Sequence, residues 1–143
     1  MVRFALGLVF LSASLAFAQE PAGDLKALQG KWVLQSATLG GRDHTDDFKD
    51  MKLAVTGDKY VIDFGVNSDN GAIKINATKT PKQIDLTTGE KGPWKIRNLT
   101  GIYELKGDTV TVCFHSTKEE RPTKFEAPEK SQIVLITFTR DKN

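Results

Sequence analysis

Apolar and polar residues alternate along most of this chain with the period of two that is typical of β-strands. The alternation is cleanest in residues 59–64, 72–78 and 82–87. Glycine and aspartate interrupt it at short intervals, as in the turns Gly57-Asp58 and Lys106-Gly107-Asp108. The pattern predicts eight strands, at residues 30–39, 52–56, 59–64, 72–78, 82–87, 100–105, 109–115 and 132–140.

The connections between these strands indicate the fold class. Most are short turns, and no crossover helix separates two strands, so neighbouring strands are expected to pair antiparallel. Closing the sheet into a barrel would remove both edge strands, whereas a two-sheet sandwich is the competing arrangement. We therefore expect an all-β protein, a single antiparallel eight-stranded up-and-down barrel. A short N-terminal helical turn at residues 24–29 precedes it, with Asp24 as its N-cap.

Strict alternation also assigns side chains to the two faces of each strand. In the first strand it places Trp32, Leu34 and Ser36 on one face and Ala37 on the other. Longer loops are predicted where glycine, asparagine, aspartate and proline accumulate, at residues 40–50, 65–71, 88–98 and 116–130.

The N-terminal segment has a different character from the rest of the chain. A basic residue and an apolar stretch lead to Ala16-Phe17-Ala18, which has the small-x-small pattern of a signal-peptide cleavage site. The apolar run is short for a membrane anchor. We therefore expect a signal peptide at residues 1–18, cleavage before Gln19 and one exported domain at residues 19–143, in the periplasm or outside the cell. No membrane span is expected after cleavage.

Charge and cysteine content narrow the functional class. The chain of 143 residues has a formal net charge of +2, which falls to +1 when Arg3 leaves with the signal peptide. A near-neutral protein lacks the basic surface that nucleic-acid binding requires, so no nucleic-acid partner is expected. Cys113 is the single cysteine, so no internal disulfide can form and the exported domain must be stabilised by packing.

Two stretches contain side chains with catalytic or metal-binding potential. Cys113 and His115 lie two apart on one strand face, but a nucleophilic dyad also needs an orienting group and an oxyanion site. We interpret them as a small buried cysteine beside a strand-end histidine. An acidic connector could bind a divalent cation, but its spacing fits neither a calcium loop nor a zinc site, so it is interpreted as solvated. It comprises Asp43, His44, Asp46, Asp47 and Asp50.

Two further acidic features are interpreted structurally. Asp63 and Asp85 are isolated carboxylates on strands, with no partner that would make an acid–base pair. The run at residues 67–71 superficially resembles a calcium loop but lacks the closing glutamate, so it is interpreted as a turn.

Gly30, Trp32 and the late Arg140 form a signature that resembles the lipocalin and calycin barrels. The chain also resembles a narrower group, the lipocalin-like uncharacterised domain family abundant in planctomycete bacteria. This resemblance implies a small exported β-barrel in which the tryptophan covers the closed end and the arginine packs on it, and it implies no activity. The matching motifs are Leu28-Gln29-Gly30-Lys31-Trp32, Pro81-Lys82-Gln83-Ile84-Asp85-Leu86, Gly101-Ile102-Tyr103-Glu104-Leu105-Lys106-Gly107-Asp108, Val112-Cys113-Phe114, Arg121-Pro122-x-x-Phe125 and Arg140.

Four aromatic residues are candidates for lining the barrel interior: Tyr60, Phe64, Tyr103 and Phe114. An eight-stranded barrel is either filled by its own side chains or holds one small ligand. We expect an exported binding module for a small apolar or amphipathic ligand. The alternative is a cell-envelope protein-interaction module with a side-chain-filled barrel. No catalytic residue, metal or cofactor is expected, and the chain is not expected to be an enzyme.

Overall fold

The computed structural model describes residues 21–89 and 98–142. The predicted signal peptide and most of the predicted loop at residues 88–98 lie outside the described residues. Within the described ranges no helix combines the length and apolarity needed to cross a membrane. The elements are α1 (Pro21–Leu28), β1 (Gly30–Leu39), β2 (Arg42–Asp43), β3 (Lys52–Thr56), β4 (Lys59–Asp63), β5 (Ser68–Asn76), β6 (Gln83–Thr88), β7 (Asn98–Lys106), β8 (Thr109–His115) and β9 (Ile133–Arg140).

Eight of the strands form a closed antiparallel barrel, which confirms the predicted fold class. Each strand from β3 to β9 pairs with its neighbours in chain order, and β9 returns to pair with β1. The short strand β2 lies outside the barrel and pairs with the end of β1 through Thr38–Asp43 and Leu39–Arg42. Because the barrel is closed, its eight strands have hydrogen-bonded neighbours on both sides over most of their length. The inward face of every strand lines a shared apolar core.

A β-bulge in β1 changes the face assignment that strict alternation predicts. Leu34 pairs with Phe138 and Ser36 pairs with Thr137, so Gln35 is an extra residue between two consecutive partners on β9. The extra residue reverses the alternation beyond it. Ala37 therefore points into the core, where it is 2% exposed, and the prediction that Ser36 shares the face of Trp32 is wrong.

Strand β5 begins earlier than the sequence pattern predicts. Residues 68–71 were expected to belong to a loop, but they pair with β4, and only the Phe64–Asn67 segment turns the chain. The inner positions of this stretch are Asp69 and Gly71, which are not the apolar residues that mark a strand. A side chain at Gly71 would collide with the carbonyl oxygen of Thr87 on the neighbouring strand, so the close approach of β5 and β6 requires glycine there.

Helix α1 covers one end of the barrel. It begins at Pro21, so Asp24 lies inside it and the prediction of Asp24 as N-cap is wrong. The Asp24 carboxylate instead accepts a hydrogen bond from Tyr103 on β7 at 2.7 Å. We call this end, where β1 begins and β9 ends, the closed end, and the opposite end the open end.

Candidate functional site

Tyr60 lies inside the barrel and forms a buried hydrogen bond. Its hydroxyl donates to Oδ2 of Asp69 at 2.9 Å, and Asp69 is 2% exposed. Burial, together with the hydrogen bond and charge of Asp69, raises the pKa of Tyr60 above its ordinary value. The other carboxylate oxygen, Oδ1, has no hydrogen-bond partner among the described residues.

Tyr103 belongs to a second polar cluster, at the closed end. Its hydroxyl and the Lys82 ammonium both donate to Oδ2 of Asp24, at 2.7 and 2.8 Å. Burial and the Asp24 carboxylate raise the pKa of Tyr103. Burial alone would also raise the pKa of Asp24, but the hydrogen bonds from Lys82 and Tyr103 and the charge of Lys82 outweigh it, so that pKa lies below 3.8. This cluster fixes α1 to the barrel.

The four aromatic candidates do not converge on one ligand space. Tyr60 and Phe114 line the same interior cavity. Tyr103 belongs to the core but points to Asp24 at the closed end, and Phe64 is a partly buried residue at the edge of the core. These aromatic residues therefore belong to the core or pack against it, but they do not form a single binding surface.

The interior of the barrel is filled by side chains. The cavity beside Tyr60 and Phe114 has a volume of about 40 Å³ and an apolar lining. A second cavity of about 50 Å³ lies beneath Phe48, and Met51 borders both. Ligand sites usually measure roughly 300–1,000 Å³, so these spaces are an order of magnitude too small for an ordinary ligand.

A much larger concavity of about 760 Å³ lies on the outside of the barrel. Two rows of outward side chains cross β5, β6 and β7 there, because Ala72 pairs with Thr87 and Lys74 pairs with Asp85. Leu25 of α1 and the turn residue Asp58 border it on one side. We call this surface the outer groove, and its polar lining includes Lys74, Asp85, Thr87, Asn98, Thr100 and Glu119.

Hydrogen bonds hold the polar groups of the outer groove in place. Thr87 donates to Oδ1 of Asn98 at 3.4 Å, and Nδ2 of Asn98 donates to Glu119 at 3.0 Å. Asp85 pairs with Arg121 at 2.8 Å. The Thr100 hydroxyl oxygen is buried and has no hydrogen-bond partner among the described residues. The groove thus presents ordered donors and acceptors on Thr87, Asn98 and Glu119.

The long β8–β9 connection, which we call the strap (residues 116–132), packs on the outer face of the barrel. Nη1 of Arg121 donates to the carbonyl oxygen of Gly101 at 2.6 Å. Ile102 and Cys113 are buried beneath the strap, although both lie outside the main core cluster, and Pro122 of the strap itself is also buried. The strap therefore buries a second, smaller apolar cluster and also forms one wall of the outer groove through Glu119.

The structure does not bring Cys113 and His115 into a dyad. The Cys113 thiol faces the carbonyl oxygens of Lys124 and Glu126 in the strap, and burial raises its pKa, which disfavours the reactive thiolate. Nδ1 of His115 accepts hydrogen bonds from the backbone amides of Thr117 and Lys118. Both side chains serve the local structure of the strap.

The acidic connector forms local contacts. His44 pairs with Asp47 at 2.8 Å. Hydrogen bonds from the side chain and from the backbone N–H of Thr45 lower the pKa of Asp43. Within the described ranges, no three histidine, cysteine, aspartate or glutamate side chains are placed to hold a metal ion. The isolated Asp63 accepts the backbone N–H of Gly65.

Sequence reasoning missed three features of the site. The sequence pattern assigns Asp69 to a turn, gives Arg121 no role beyond its motif and does not indicate the outer groove. The available signal is the position of Arg121 in a long polar loop, because its five N–H donors can bond backbone carbonyls of a neighbouring element. Comparison with family models, with curated proteins and with solved structures found no match.

Proposed function

We propose that the protein is an exported binding module that recognises a cell-envelope partner on its outer surface. The observation that supports this proposal is the difference in volume between the two spaces. The interior cavity measures about 40 Å³, and the outer groove measures about 760 Å³. The groove lies within the size range of ordinary binding sites, and the interior does not. This contrast favours the filled-barrel alternative over a ligand held among the interior aromatic residues.

The chemistry of the outer groove supports recognition of a polar chain. Its two rows of side chains stand on adjacent, fully paired strands, so their positions are rigid. Asn98 and Thr87 offer hydrogen-bonding groups, and Lys74 and Glu119 add charges of opposite sign. An extended polypeptide segment presents alternating donors and acceptors that suit such a surface.

A photo-crosslinking experiment tests this proposal. A photoreactive amino acid replaces Ala72 in the groove, and in a matched control it replaces Val61, which is 44% exposed on the neighbouring strand β4. We expect a discrete crosslinked envelope protein from position 72 and none from position 61. Crosslinks of equal yield from both positions, or none from position 72, would contradict the proposal.

A second candidate is interior binding of a small apolar molecule. The supporting observation is that Met51 and Ile136 border both internal cavities, of about 40 and 50 Å³, and that Met51 is a flexible side chain that adapts readily to a change in the shape of the core. Native mass spectrometry of the protein purified from its own envelope tests this candidate. A retained small molecule that is lost in Met51→Trp would support it, and an unliganded mass would exclude it.

A further inference from the structure

The closed end carries a group of lysines without acidic partners. Lys26, Lys31, Lys59 and Lys79 are exposed, and within the described part of the chain none of them forms an ion pair. Lys26 is on α1, Lys31 and Lys59 are near the starts of β1 and β4, and Lys79 is in the β5–β6 turn. Other basic side chains at this end form ion pairs: Lys82 with Asp24, and Lys106 with Glu104. Arg140 and Lys142 share the single carboxylate of Asp108, which leaves one positive charge in excess there.

Few carboxylates oppose these four lysines. Besides the carboxylates in those ion pairs, the described residues at the closed end include the carboxylates Asp58 and Asp141. Gln29 joins α1 to the β3–β4 turn through hydrogen bonds to the backbone of Gly57. This contact places the loop that carries Asp58 and Lys59 beside the end of α1. The surface around α1 is therefore positively charged, although the whole chain is nearly neutral.

Hydrogen bonds from the last barrel strand hold α1 on the closed end. Arg140 fixes α1 to the closed end by donating to the carbonyl oxygens of Ala27 and Gln29. Lys26 of α1 is therefore held at the same end of the barrel as Lys31 and Lys59.

We propose that the closed end docks on the surface of an anionic phospholipid bilayer. Lysines near such a surface each strengthen binding by roughly fivefold, so four together supply on the order of several-hundredfold. The attraction acts over roughly a Debye length of 8–10 Å, which requires the lysines to lie on the contacting end. The proposal rests on the lysines of the closed end, so it does not depend on the partner proposed for the outer groove.

Vesicle sedimentation tests the proposal with the processed chain that begins at Gln19, which contains α1 and all nine strands. The vesicles consist of phosphatidylglycerol and phosphatidylcholine in equal parts, or of phosphatidylcholine alone. We compare wild type with Lys26→Gln/Lys31→Gln/Lys59→Gln/Lys79→Gln. The matched control removes the same charge from the open end and the strap: Lys49→Gln, Lys52→Gln, Lys118→Gln and Lys124→Gln.

We expect wild type to sediment with the anionic vesicles at low salt and to be released by high salt. The closed-end variant should lose at least a hundredfold in affinity, and the control variant less than fivefold. All eight lysines are exposed, so both variants should keep the thermal midpoint of wild type. Absence of wild-type binding, equal loss in both variants or equal binding to the neutral vesicles would overturn the proposal.

Discussion

The guanidinium of Arg140 lies 4.2 Å from the centre of the Trp32 indole ring, and the two residues are direct partners across β9 and β1. The indole is fully buried, and its N–H donates to the carbonyl oxygen of Leu28 at 2.9 Å. Nη1 and Nη2 of Arg140 donate to the carbonyl oxygens of Gln29 and Ala27 at 2.9 and 2.7 Å. The Arg140 side chain therefore links β9 to β1 by stacking on Trp32, and it also caps the C-terminal end of α1 through its two hydrogen bonds.

Trp32→Ala should reduce the free energy of unfolding by about 3–5 kcal/mol, because it removes a fully buried aromatic side chain. Chemical denaturation monitored by circular dichroism measures the change. Val61→Ala serves as control, since Val61 is 44% exposed and its truncation should cost well under 1 kcal/mol. Equal losses in the two variants would show that the closed end contributes little to stability.

Arg140→Lys should cost about 1–2 kcal/mol, less than Trp32→Ala. An ammonium cannot stack as a plane on the indole and cannot donate to two carbonyl oxygens in the fork geometry of arginine. The conservative control is Arg42→Lys, because Arg42 is exposed on β2 outside the barrel. The same denaturation experiment compares them, and an Arg140→Lys variant as stable as Arg42→Lys would contradict a role for the planar contact.

The sequence could predict the Trp32–Arg140 contact because it follows from topology. In a closed antiparallel barrel the start of the first strand meets the end of the last, whatever the details between them. Gly30 fits the same junction, since it has a φ of 111° and a side chain there would approach Nη1 of Arg140 to 3.4 Å. Regular alternation likewise predicted β3 and β8 with their observed bounds.

The features that could not be predicted are those that depend on departures from alternation or on distant contacts. The extra residue Gln35 reverses the faces of β1, and nothing in its side chain marks a bulge. The inner positions at the start of β5 are occupied by the polar Asp69 and by Gly71, which has no side chain, so the sequence of this part of the strand is typical of a loop. The outer groove requires the strap and β6 to meet through Arg121 and Asp85, a tertiary contact that no local pattern encodes.

The two tyrosines should remain neutral far into the alkaline range while the protein is folded. Both pKa values are raised by burial and by hydrogen bonds to carboxylates, and Tyr60 and Tyr103 are the only tyrosines in the chain. Because the folded pKa values exceed the unfolded value of about 10, their stabilising contribution is complete below that pH and is lost as pH rises above it.

Ultraviolet absorbance of tyrosinate measures this directly. The folded protein should show almost no tyrosinate signal near pH 10, whereas the denaturant-unfolded chain should titrate there. At higher pH the signal should appear together with loss of β structure. A tyrosinate signal at pH 10 with intact circular dichroism would contradict the burial of these hydroxyl groups.

Arg121→Gln should loosen the strap without unfolding the barrel. The change removes the pair with Asp85 and the hydrogen bond to the carbonyl oxygen of Gly101, while the main core remains intact. Limited proteolysis followed by mass spectrometry should show cleavage in the strap at least several times faster than in wild type. Lys118→Gln is the control, since its side chain is exposed. Equal cleavage of the two variants would show that Arg121 does not anchor the strap.

Asp24→Asn should destabilise the protein at neutral pH by roughly 1–2 kcal/mol, because the charge-assisted hydrogen bonds from Lys82 and Tyr103 become weaker. The pKa of Asp24 is lower in the folded protein than its ordinary value of 3.8. A lowered folded pKa means that the stabilising contribution is complete above 3.8 and is lost as pH falls through the folded value. The variant has no group that titrates at this position, so its stability should vary less with pH in this range.

The measurement is the free energy of unfolding of both proteins from pH 7 down to the acid limit of the folded state. The two curves should be separated at neutral pH and should converge below pH 3.8, because a protonated aspartic acid and an asparagine have nearly the same shape and no charge. Asp58→Asn provides the comparison, since that exposed carboxylate lies outside the cluster. Parallel curves for wild type and Asp24→Asn would mean that the Asp24 carboxylate titrates alike in the folded and unfolded chains, and that the link between α1 and Tyr103 does not depend on its charge.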